Sequence, residues 1–247
     1  MIRFHAENDV ATLTLDRPER HNALELDDIA ALRRALDQAA AANPRAMILT
    51  GKGRSFCAGV SLGDVGGEAW SENPLTALCD AIESLPFPTV AALNGGVYGG
   101  GAEIALSCDF RIGVRGMRCF VPPARLGVHY EPAGLARAMR VIGLQAARRM
   151  FLAADEFTDE DLLRIGFLDD LTAPEDLPAA AMARARRLAD LAPLAVQGMK
   201  RTLGELSRGA LDAQAAARRV ARCWASEDLR EGLAAMRDKR APVFKGR

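Results

Sequence analysis

A short glycine-dense stretch, Asn94 to Glu103, combines residue types that can stabilise a developing negative charge. Apolar β-type residues at 89–93 precede it and apolar residues at 104–108 follow it, so the pattern predicts a strand, a glycine turn and a buried helix. The first N–H groups of a helix have no partner within the helix and carry the positive end of its dipole. Glycines 99–101 have no Cβ to keep a ligand away from those groups.

Glu103 adds an acid–base group to this helix start. It lies about one helical turn after Gly100, so its carboxylate can share a face with the Gly100 N–H. An N–H donor beside a carboxylate has the geometry of an oxyanion site. The alternative is a glycine-rich helix start packed in a core with Glu103 on the surface, because glycine runs are common structural punctuation.

The elements that must position these residues alternate regularly in the first half of the chain. The hydrophobic patterns predict the following elements: strands at 10–15, 46–50, 89–93 and 110–114, helices at 26–42 and 74–84, and a glycine-rich loop from Ser61 to about Asn73. Because strand, loop and helix follow one another without linkers, we expect an α/β fold with a parallel or mixed sheet and helical crossovers.

The second half of the chain has a predominantly helical pattern. Its predicted elements are helices at 135–142, 145–152, 174–206 and 210–237, a helix capped at Thr158, and one short strand at 167–171. The arginine-rich run at 184–187 is interpreted as a solvated helix face or a subunit contact, because neighbouring acids balance its charge.

Composition restricts the possible partners and the compartment. The 247 residues are enough for one large α/β domain or two small ones, and the 49% of them that are hydrophobic are enough for a sizeable core. The 32 basic and 32 acidic residues balance, which argues against nucleic acid as the main partner. No window has the apolar length of a membrane span or an export signal, so no membrane partner is expected. The five cysteines show neither a CxxC pair nor metal-site spacing, which favours reduced thiols in a cytoplasmic protein without a metal.

Five sequence blocks resemble those of the crotonase (enoyl-CoA hydratase/isomerase) superfamily in order and spacing. They cover almost the whole chain: Leu15–Leu24, Ser55–Gly59, Pro88–Asp109, Ala124–Gly127, and Glu231 to Phe244. The resemblance implies a crotonase-like α/β fold, a spiral of ββα units. Residues 1–190 would form this core, and residues 191–247 would form a C-terminal helical region that assembles a homotrimer or a dimer of trimers.

The resemblance also implies that two backbone N–H groups bind the thioester oxygen of an acyl-CoA and stabilise an enolate. By motif position these donors are Val60, just after Ala58, and Gly100. The adenine and phosphate end of CoA would lie along the segment from Arg17 to Ala23, and Lys239 would assist, often across a subunit boundary. The alternative for Lys239 is a solvated terminal lysine. CoA would be part of the substrate, and no separate cofactor is implied.

Departures from the family pattern bear on the reaction. Family hydratases use two glutamates around one water, because adding water to a conjugated double bond requires proton removal from water and proton delivery to carbon. Glu103 matches the first glutamate, but Pro123 occupies the position of the second. Glu131 lies where some family isomerases carry a catalytic carboxylate. Tyr130 is placed like a tyrosine of the methylmalonyl-CoA decarboxylase branch. The alternative for Glu131 is an exposed loop acid.

A serine-hydrolase interpretation is also possible but is disfavoured. Residues 59–63 fit G-x-S-x-G, and Asp109 and His129 follow in the chain order of an α/β-hydrolase triad. That motif requires the serine on a sharp turn directly between strand and helix, whereas Ser61 lies well beyond the predicted strand at 46–50. The sequence therefore predicts acyl-CoA chemistry through an oxyanion-stabilised enolate, with enoyl-CoA hydratase/isomerase as the leading activity. The alternatives are methylmalonyl-CoA decarboxylation and a catalytically weak acyl-CoA-binding protein.

Overall fold

The computed structural model of the protein describes residues 2–61 and 73–247. These ranges contain ten strands: β1 (Ile2–Glu7), β2 (Val10–Leu15), β3 (Ala46–Gly51), β4 (Ser55–Cys57), β5 (Thr89–Leu93), β6 (Gly96–Tyr98), β7 (Phe110–Val114), β8 (Arg118–Phe120), β9 (Glu156–Thr158) and β10 (Asp170–Thr172). The same ranges contain nine α-helices: α1 (Leu26–Ala42), α2 (Pro74–Ser84), α3 (Gly100–Ser107), α4 (Pro132–Phe151), α5 (Asp159–Arg164), α6 (Leu177–Ala189), α7 (Pro193–Ser207), α8 (Ala213–Trp224) and α9 (Glu227–Asp238). Residues 62–72 of the predicted glycine-rich loop lie outside the described ranges.

The larger sheet has the strand order β1-β2-β3-β5-β7-β10. β1 and β2 form an antiparallel hairpin, and all other neighbours in this sheet are parallel. The hairpin turns at Asn8 and Asp9, whose φ angles of 48° and 64° suit a two-residue turn. β3 and β5 are buried along nearly their whole length, as expected for parallel strands covered on both faces.

The smaller sheet has the strand order β4-β6-β8-β9 and positions the loops of interest. β4, β6 and β8 are parallel, and β9 is antiparallel to β8. Because the carboxyl ends of parallel strands lie at one edge of a sheet, residues 58–60, 99–100 and 121–123 leave the sheet on the same side.

Helices pack on both sheets and contribute the remaining core residues. All eight residues of α3 are buried, and this helix packs against α2, α4, β4 and β6. α6 packs across β3, β5 and β7 of the larger sheet. The predicted mixed α/β architecture with helical crossovers is confirmed.

Polar contacts hold α7 and the segment after α9 against the core. Lys200 on α7 donates to the carbonyl of Phe87 at 2.8 Å and to Asp109 at 2.7 Å. Arg45 donates to the carbonyl of Phe244 at 2.6 Å, which holds the chain after α9. The predicted division of the chain at residue 190 falls between α6 and α7 and stays a prediction. In the described part of the chain, no helix has both the length and the apolarity needed to cross a membrane.

Several predicted element boundaries are wrong, for identifiable reasons. The predicted helix at 174–206 is interrupted between α6 and α7, because Pro193 has no N–H for a continuing helix. The predicted helix at 210–237 is interrupted where the Ser226 hydroxyl accepts from the Leu229 N–H at 3.0 Å and caps α9. The predicted break between 142 and 145 is confirmed inside α4, where Gly143 has the non-helical angles φ 74° and ψ 163°.

The direct packing of α3 on β4 generates a stability prediction. A Cβ added at Gly101 would lie 2.4 Å from the carbonyl oxygen of Cys57, which is backbone and cannot move aside. We therefore expect Gly101→Ala to lower the free energy of unfolding by about 1–3 kcal/mol, the usual cost of overpacking a core. Chemical denaturation monitored by circular dichroism measures this change.

A matched control is Gly204→Ala inside α7. A Cβ there would meet only the flexible end of Arg208 at 3.3 Å. Alanine is the better helix former by about 1 kcal/mol, so this variant should be unchanged or stabilised. Equal stability of the two variants would contradict the packing described for α3.

Candidate active site

Two backbone N–H groups lie next to each other where β4 and β6 end. Val60 forms an isolated parallel bridge with Leu24, in which the Leu24 N–H donates to Gly59 and the Ser61 N–H donates to Leu24. In such a bridge the N–H of Val60 itself lies on the opposite side of the chain from Leu24. Gly100 is the first residue of α3, so its N–H has no acceptor within the helix.

The close approach of these two loops depends on Gly59. Its φ is +82°, and a Cβ at this position would lie 2.7 Å from the Gly100 nitrogen and 2.8 Å from the Tyr98 carbonyl oxygen. Any side chain at Gly59 would therefore push the loop of Val60 away from the start of α3. The two N–H groups are adjacent because this position is a glycine.

A cavity of about 360 Å³ lies in front of these N–H groups. All five residues predicted to be catalytic line it, and so does Ala58. With the catalytic candidates included, the other lining residues are mostly apolar: Val60, Leu75, Tyr98, Gly99, Gly100, Glu103, Phe120, Val121, Pro122, Pro123, Leu126, Val128, Tyr130 and Glu131. Asn73 and His129 also line it. A mostly apolar concavity with a few convergent polar groups is the usual form of a small-molecule site.

Glu103 is buried at the base of this cavity, with 3% of its surface exposed. Its Oε2 accepts a hydrogen bond from the Tyr130 hydroxyl at 2.9 Å, and its Oε1 accepts one from Arg137 at 2.6 Å. Burial raises the pKa of Glu103 above its usual value, and the Tyr130 hydrogen bond and the Arg137 charge act in the opposite direction. The alternative of a surface Glu103 is wrong.

Tyr130 is half-buried, and its ring packs on Phe151 with 4.8 Å between the ring centroids. Burial, followed by the neighbouring charge of Glu103, raises the pKa of Tyr130 well above its ordinary value. Its hydroxyl therefore stays protonated at neutral pH and donates to Glu103.

Glu131 is exposed and lies at the residue before α4, with extended backbone angles of φ −62° and ψ 138°. Its carboxylate has no hydrogen-bond or ion-pair partner among the residues that the structure describes. Glu131 nevertheless lines the same cavity as Glu103. The two carboxylates thus differ in kind, since one is buried and fixed and the other is exposed at the cavity mouth.

Pro123 stands at the wall of the cavity where the second hydratase glutamate is predicted to be. It begins a short 3-10 helix, Pro123–Leu126, and it is buried. Its side chain has no group that can donate or accept a proton.

The residues predicted to bind CoA have varied surroundings. The Arg17 guanidinium bonds to Asp28 at 2.5 Å and to Glu25 at 3.4 Å, so its charge is already paired. The N–H of Ala23 donates to the carbonyl of Arg20 at 3.0 Å, so this N–H already has an acceptor. Lys239 is exposed at the end of α9 and does not line the cavity.

Asn22 is a structural residue of the site that the sequence interpretation missed. It is 1% exposed, and its Nδ2 donates to the carbonyls of Lys52, Ser55 and Phe56 at 2.9–3.1 Å. Its Oδ1 accepts from the Arg17 N–H at 2.9 Å. This amide joins the segment after β2 to β4 and so supports the loop of Val60. An asparagine in a turn is too common a signal to have shown this role.

The hydrolase interpretation has no support in the described residues. Asp109 accepts from the Thr89 N–H at 2.7 Å and from Lys200 at 2.7 Å, so it orients no histidine. The Nδ1 of His129 instead contacts the carbonyl of Tyr130 at 2.7 Å. Residues 62 and 63 of the G-x-S-x-G run lie outside the described ranges.

Comparison with known proteins finds one family across the chain. The family model for enoyl-CoA hydratase/isomerase matches residues 5–247. A probable enoyl-CoA hydratase of Mycobacterium tuberculosis is 33% identical, with 100% of each chain covered. The 2,3-dehydroadipyl-CoA hydratase of Escherichia coli is 32% identical, with 96% of each chain covered.

A solved structure shows the same fold. The enoyl-CoA hydratase/carnithine racemase of Magnetospirillum magneticum superposes with a TM-score of 0.91 at 29% identity, covering 100% of this chain and 96% of that one. The crotonase-like fold predicted from the sequence is confirmed. With its fold, its cavity and its full-length match, the chain belongs to the enoyl-CoA hydratase/isomerase family.

Proposed function

We propose that the protein acts on acyl-CoA thioesters, and that the N–H groups of Val60 and Gly100 bind the thioester oxygen while a proton is moved on the acyl chain. The observation that carries this proposal is that Val60 and Gly100, whose N–H groups have no acceptor in the bridge or the helix, line one cavity with Glu103, Tyr130 and Glu131. Removing a proton next to a thioester carbonyl places negative charge on its oxygen, and two fixed donors stabilise that charge.

Within the family reactions, migration of a double bond fits the cavity better than addition of water. In a 3-enoyl-CoA, a base takes a proton from C2, the resulting dienolate places its charge on the thioester oxygen, and a proton returned to C4 leaves the double bond between C2 and C3. One carboxylate can carry out both transfers. Hydration adds a hydroxyl to C3 and a proton to C2, and family hydratases use two glutamates for it. In this chain Pro123 occupies the position of the second glutamate.

Glu131 is the group we propose as the proton shuttle. Its carboxylate has no partner in the described residues and it lines the cavity. Glu103 is less free to move between two carbons, because both of its oxygens are hydrogen-bonded. In this proposal Glu103 orders the site and assists residual hydration.

A specific contact also favours a second candidate, decarboxylation of methylmalonyl-CoA. The Tyr130 hydroxyl lies in the cavity and is bonded to Glu103. Loss of CO₂ from that substrate produces the same kind of enolate, which takes one proton at C2. A tyrosine hydroxyl can deliver that proton and regain one from solvent.

Turnover of three substrates separates the candidates. We expect the protein to convert a 3-enoyl-CoA to its conjugated isomer faster than it hydrates crotonyl-CoA, and to release no CO₂ from methylmalonyl-CoA. Faster hydration of crotonyl-CoA would reverse our order of the two leading reactions. If CoA thioesters bind but none of the three reacts, the protein is a catalytically weak acyl-CoA-binding member.

We also propose that the protein assembles as a homotrimer or a dimer of trimers through its C-terminal helices. Large apolar side chains on α7 and α8 are exposed in the single chain, with Trp224 at 73% and Leu203 at 66%. Such a face on adjacent helices suits burial against another copy. Light scattering of the purified protein gives the mass that decides this point.

Gly100→Pro tests the proposed oxyanion donor. Proline is tolerated at the first position of a helix, so the substitution removes the N–H and leaves α3 able to form, although its Cβ must displace the end of Leu75. We expect kcat to fall by about 10²–10³-fold, the usual loss for one such donor.

The control is Gly100→Ala, which keeps the N–H and adds a Cβ that would meet the movable end of Leu75 at 2.6 Å. It should lose much less activity than the proline variant. Near-normal turnover by a folded Gly100→Pro enzyme would show that this N–H does not bind the reacting oxygen.

Glu131→Gln and Glu103→Gln together decide which carboxylate moves the proton. We expect Glu131→Gln to lower isomerase turnover by about 10²-fold or more, the contribution of a positioned acid–base group. Glu103→Gln should reduce residual hydration more than isomerisation. Steady-state assays with crotonyl-CoA and a 3-enoyl-CoA measure both effects.

Glu160→Gln is the matched control, because Glu160 is an exposed glutamate in the first turn of α5 that does not line this cavity. It should leave both activities unchanged. If Glu131→Gln behaves like this control while Glu103→Gln abolishes both activities, Glu131 is only a loop acid and Glu103 is the catalytic carboxylate.

A further inference from the structure

The largest completely buried side chain of the described residues is that of Arg137, on α4. It donates from Nη1 to Glu103 at 2.6 Å and from Nη2 to Asp80 at 2.6 Å. Its Nε lies 3.1 Å from Glu83. One guanidinium therefore bridges α3, which carries Glu103, and two carboxylates of α2. Burial of an arginine is costly unless its charge is matched, so losing any of these carboxylates would destabilise the buried guanidinium.

The charges around Arg137 balance within the described residues. Arg140 on α4 bonds to Glu83 at 3.0 Å, and Arg208 after α7 lies 3.8 Å from the same residue. The network thus contains three arginines and three carboxylates, those of Asp80, Glu83 and Glu103. The balance holds only while Glu103 is ionised. A proton on Glu103 would leave the buried end of the network with an excess positive charge.

The hydrogen bonds also fix how Glu103 faces the cavity. Arg137 donates to Oε1 of Glu103, and the Tyr130 hydroxyl donates its single proton to Oε2. A tyrosine oxygen that donates its own proton presents its lone pairs to other donors. Oε2 of Glu103 and the Tyr130 oxygen therefore lie on the cavity side, and Arg137 lies on the side of Glu103 away from the cavity.

We propose that Arg137 is a positioning residue for the reaction: it holds the Glu103 carboxylate toward Tyr130 and sets the pH range in which Glu103 can accept a proton. This inference rests on the proposed function, in which Glu103 assists residual hydration by accepting a proton from water. Arg137 itself does not line the cavity and acts only through Glu103.

The neighbouring groups have opposing effects on Glu103, which makes the inference testable. Burial raises the pKa of Glu103, Tyr130 and Arg137 lower it, and the negative charges of Asp80 and Glu83 raise it. The other titratable or charged groups of this network are Cys79 on α2, Arg140 on α4 and Arg208 after α7. Removing a positive or a negative member should therefore move the pKa of Glu103 in opposite directions.

The experiment is the pH profile of kcat/KM for hydration of crotonyl-CoA, the reaction in which Glu103 is proposed to act, because its acid limb reports the free enzyme's essential base. A base loses activity as the pH falls through its pKa, so a raised pKa moves this limb to higher pH. Arg137→Met removes a charge that favours the carboxylate, and we expect the limb to move up by about one pH unit or more. Asp80→Asn removes a charge that disfavours the carboxylate, and we expect a smaller shift to lower pH.

Arg148→Met is the matched control, because Arg148 is an exposed arginine on the same helix, outside the network. It should leave the limb in place. Arg137→Met is the variant most at risk of failing to fold, and circular dichroism checks this. Asp80→Asn then decides alone, since the Asp80 side chain is 61% exposed and its loss leaves no cavity.

An acid limb that does not move in folded Arg137→Met, or that moves upward or not at all in Asp80→Asn, overturns the inference. Glu103→Gln separates this failure from failure of the proposed function. If Glu103→Gln is impaired in hydration but the limb is insensitive to its neighbours, only the role of Arg137 is wrong. If Glu103→Gln is fully active in both reactions, the role of Glu103 in the proposed function fails as well.

Discussion

The parallel pairing of three very short strands is the constraint on which the rest of the site depends. β4, β6 and β8 are three residues each, yet their pairing brings the loop of Val60, the start of α3 and the segment after Phe120 to one edge. Short strands have few backbone hydrogen bonds of their own, so side-chain hydrogen bonds from neighbouring segments must fix their position. Asn22 joins β4 to the segment after β2, and Asn94, just after β5, donates to the carbonyls of Gly53 and Ser55. These side-chain amides replace the longer ladder that the strands lack.

The larger sheet and its helices could be predicted from the sequence because their patterns are long. Helix α1 has the predicted bounds, and strands β2, β3, β5 and β7 lie within a residue of the predicted ones. The three-residue strands β4, β6, β8 and β9 could not be predicted, because three residues do not define a period-two pattern and most of their partners are distant in sequence. The strand predicted at 167–171 overlaps β10 (Asp170–Thr172) at only two residues. β1 was missed for a different reason: its residues are largely exposed, so its hydrophobic alternation is weak.

Prediction of the candidate site was limited in the same way. The glycine turn before Glu103 indicated a helix start with free donors, since that inference needs only neighbouring residues. The Val60 donor came from the family resemblance, because its position depends on a pairing with Leu24, 36 residues earlier in the chain. Arg137 was not recognised at all. It lies 34 residues after Glu103 in an arginine-rich helix, and nothing in the sequence separates it from the other arginines of that helix.

The electrostatics of the two carboxylates follow from these placements. Glu103 is enclosed, and burial makes its proton harder to lose, while Arg137 and Tyr130 oppose that effect. Glu131 lies in solvent at the cavity mouth and has no partner among the described residues. A carboxylate that is bonded at both oxygens keeps its orientation but cannot follow a proton from one carbon to another, whereas an unbonded one can. In the function we propose, the same cavity therefore holds one carboxylate that keeps a fixed geometry and one that moves a proton. Pro123, at the position of the second hydratase glutamate, supplies no acid–base group to that wall.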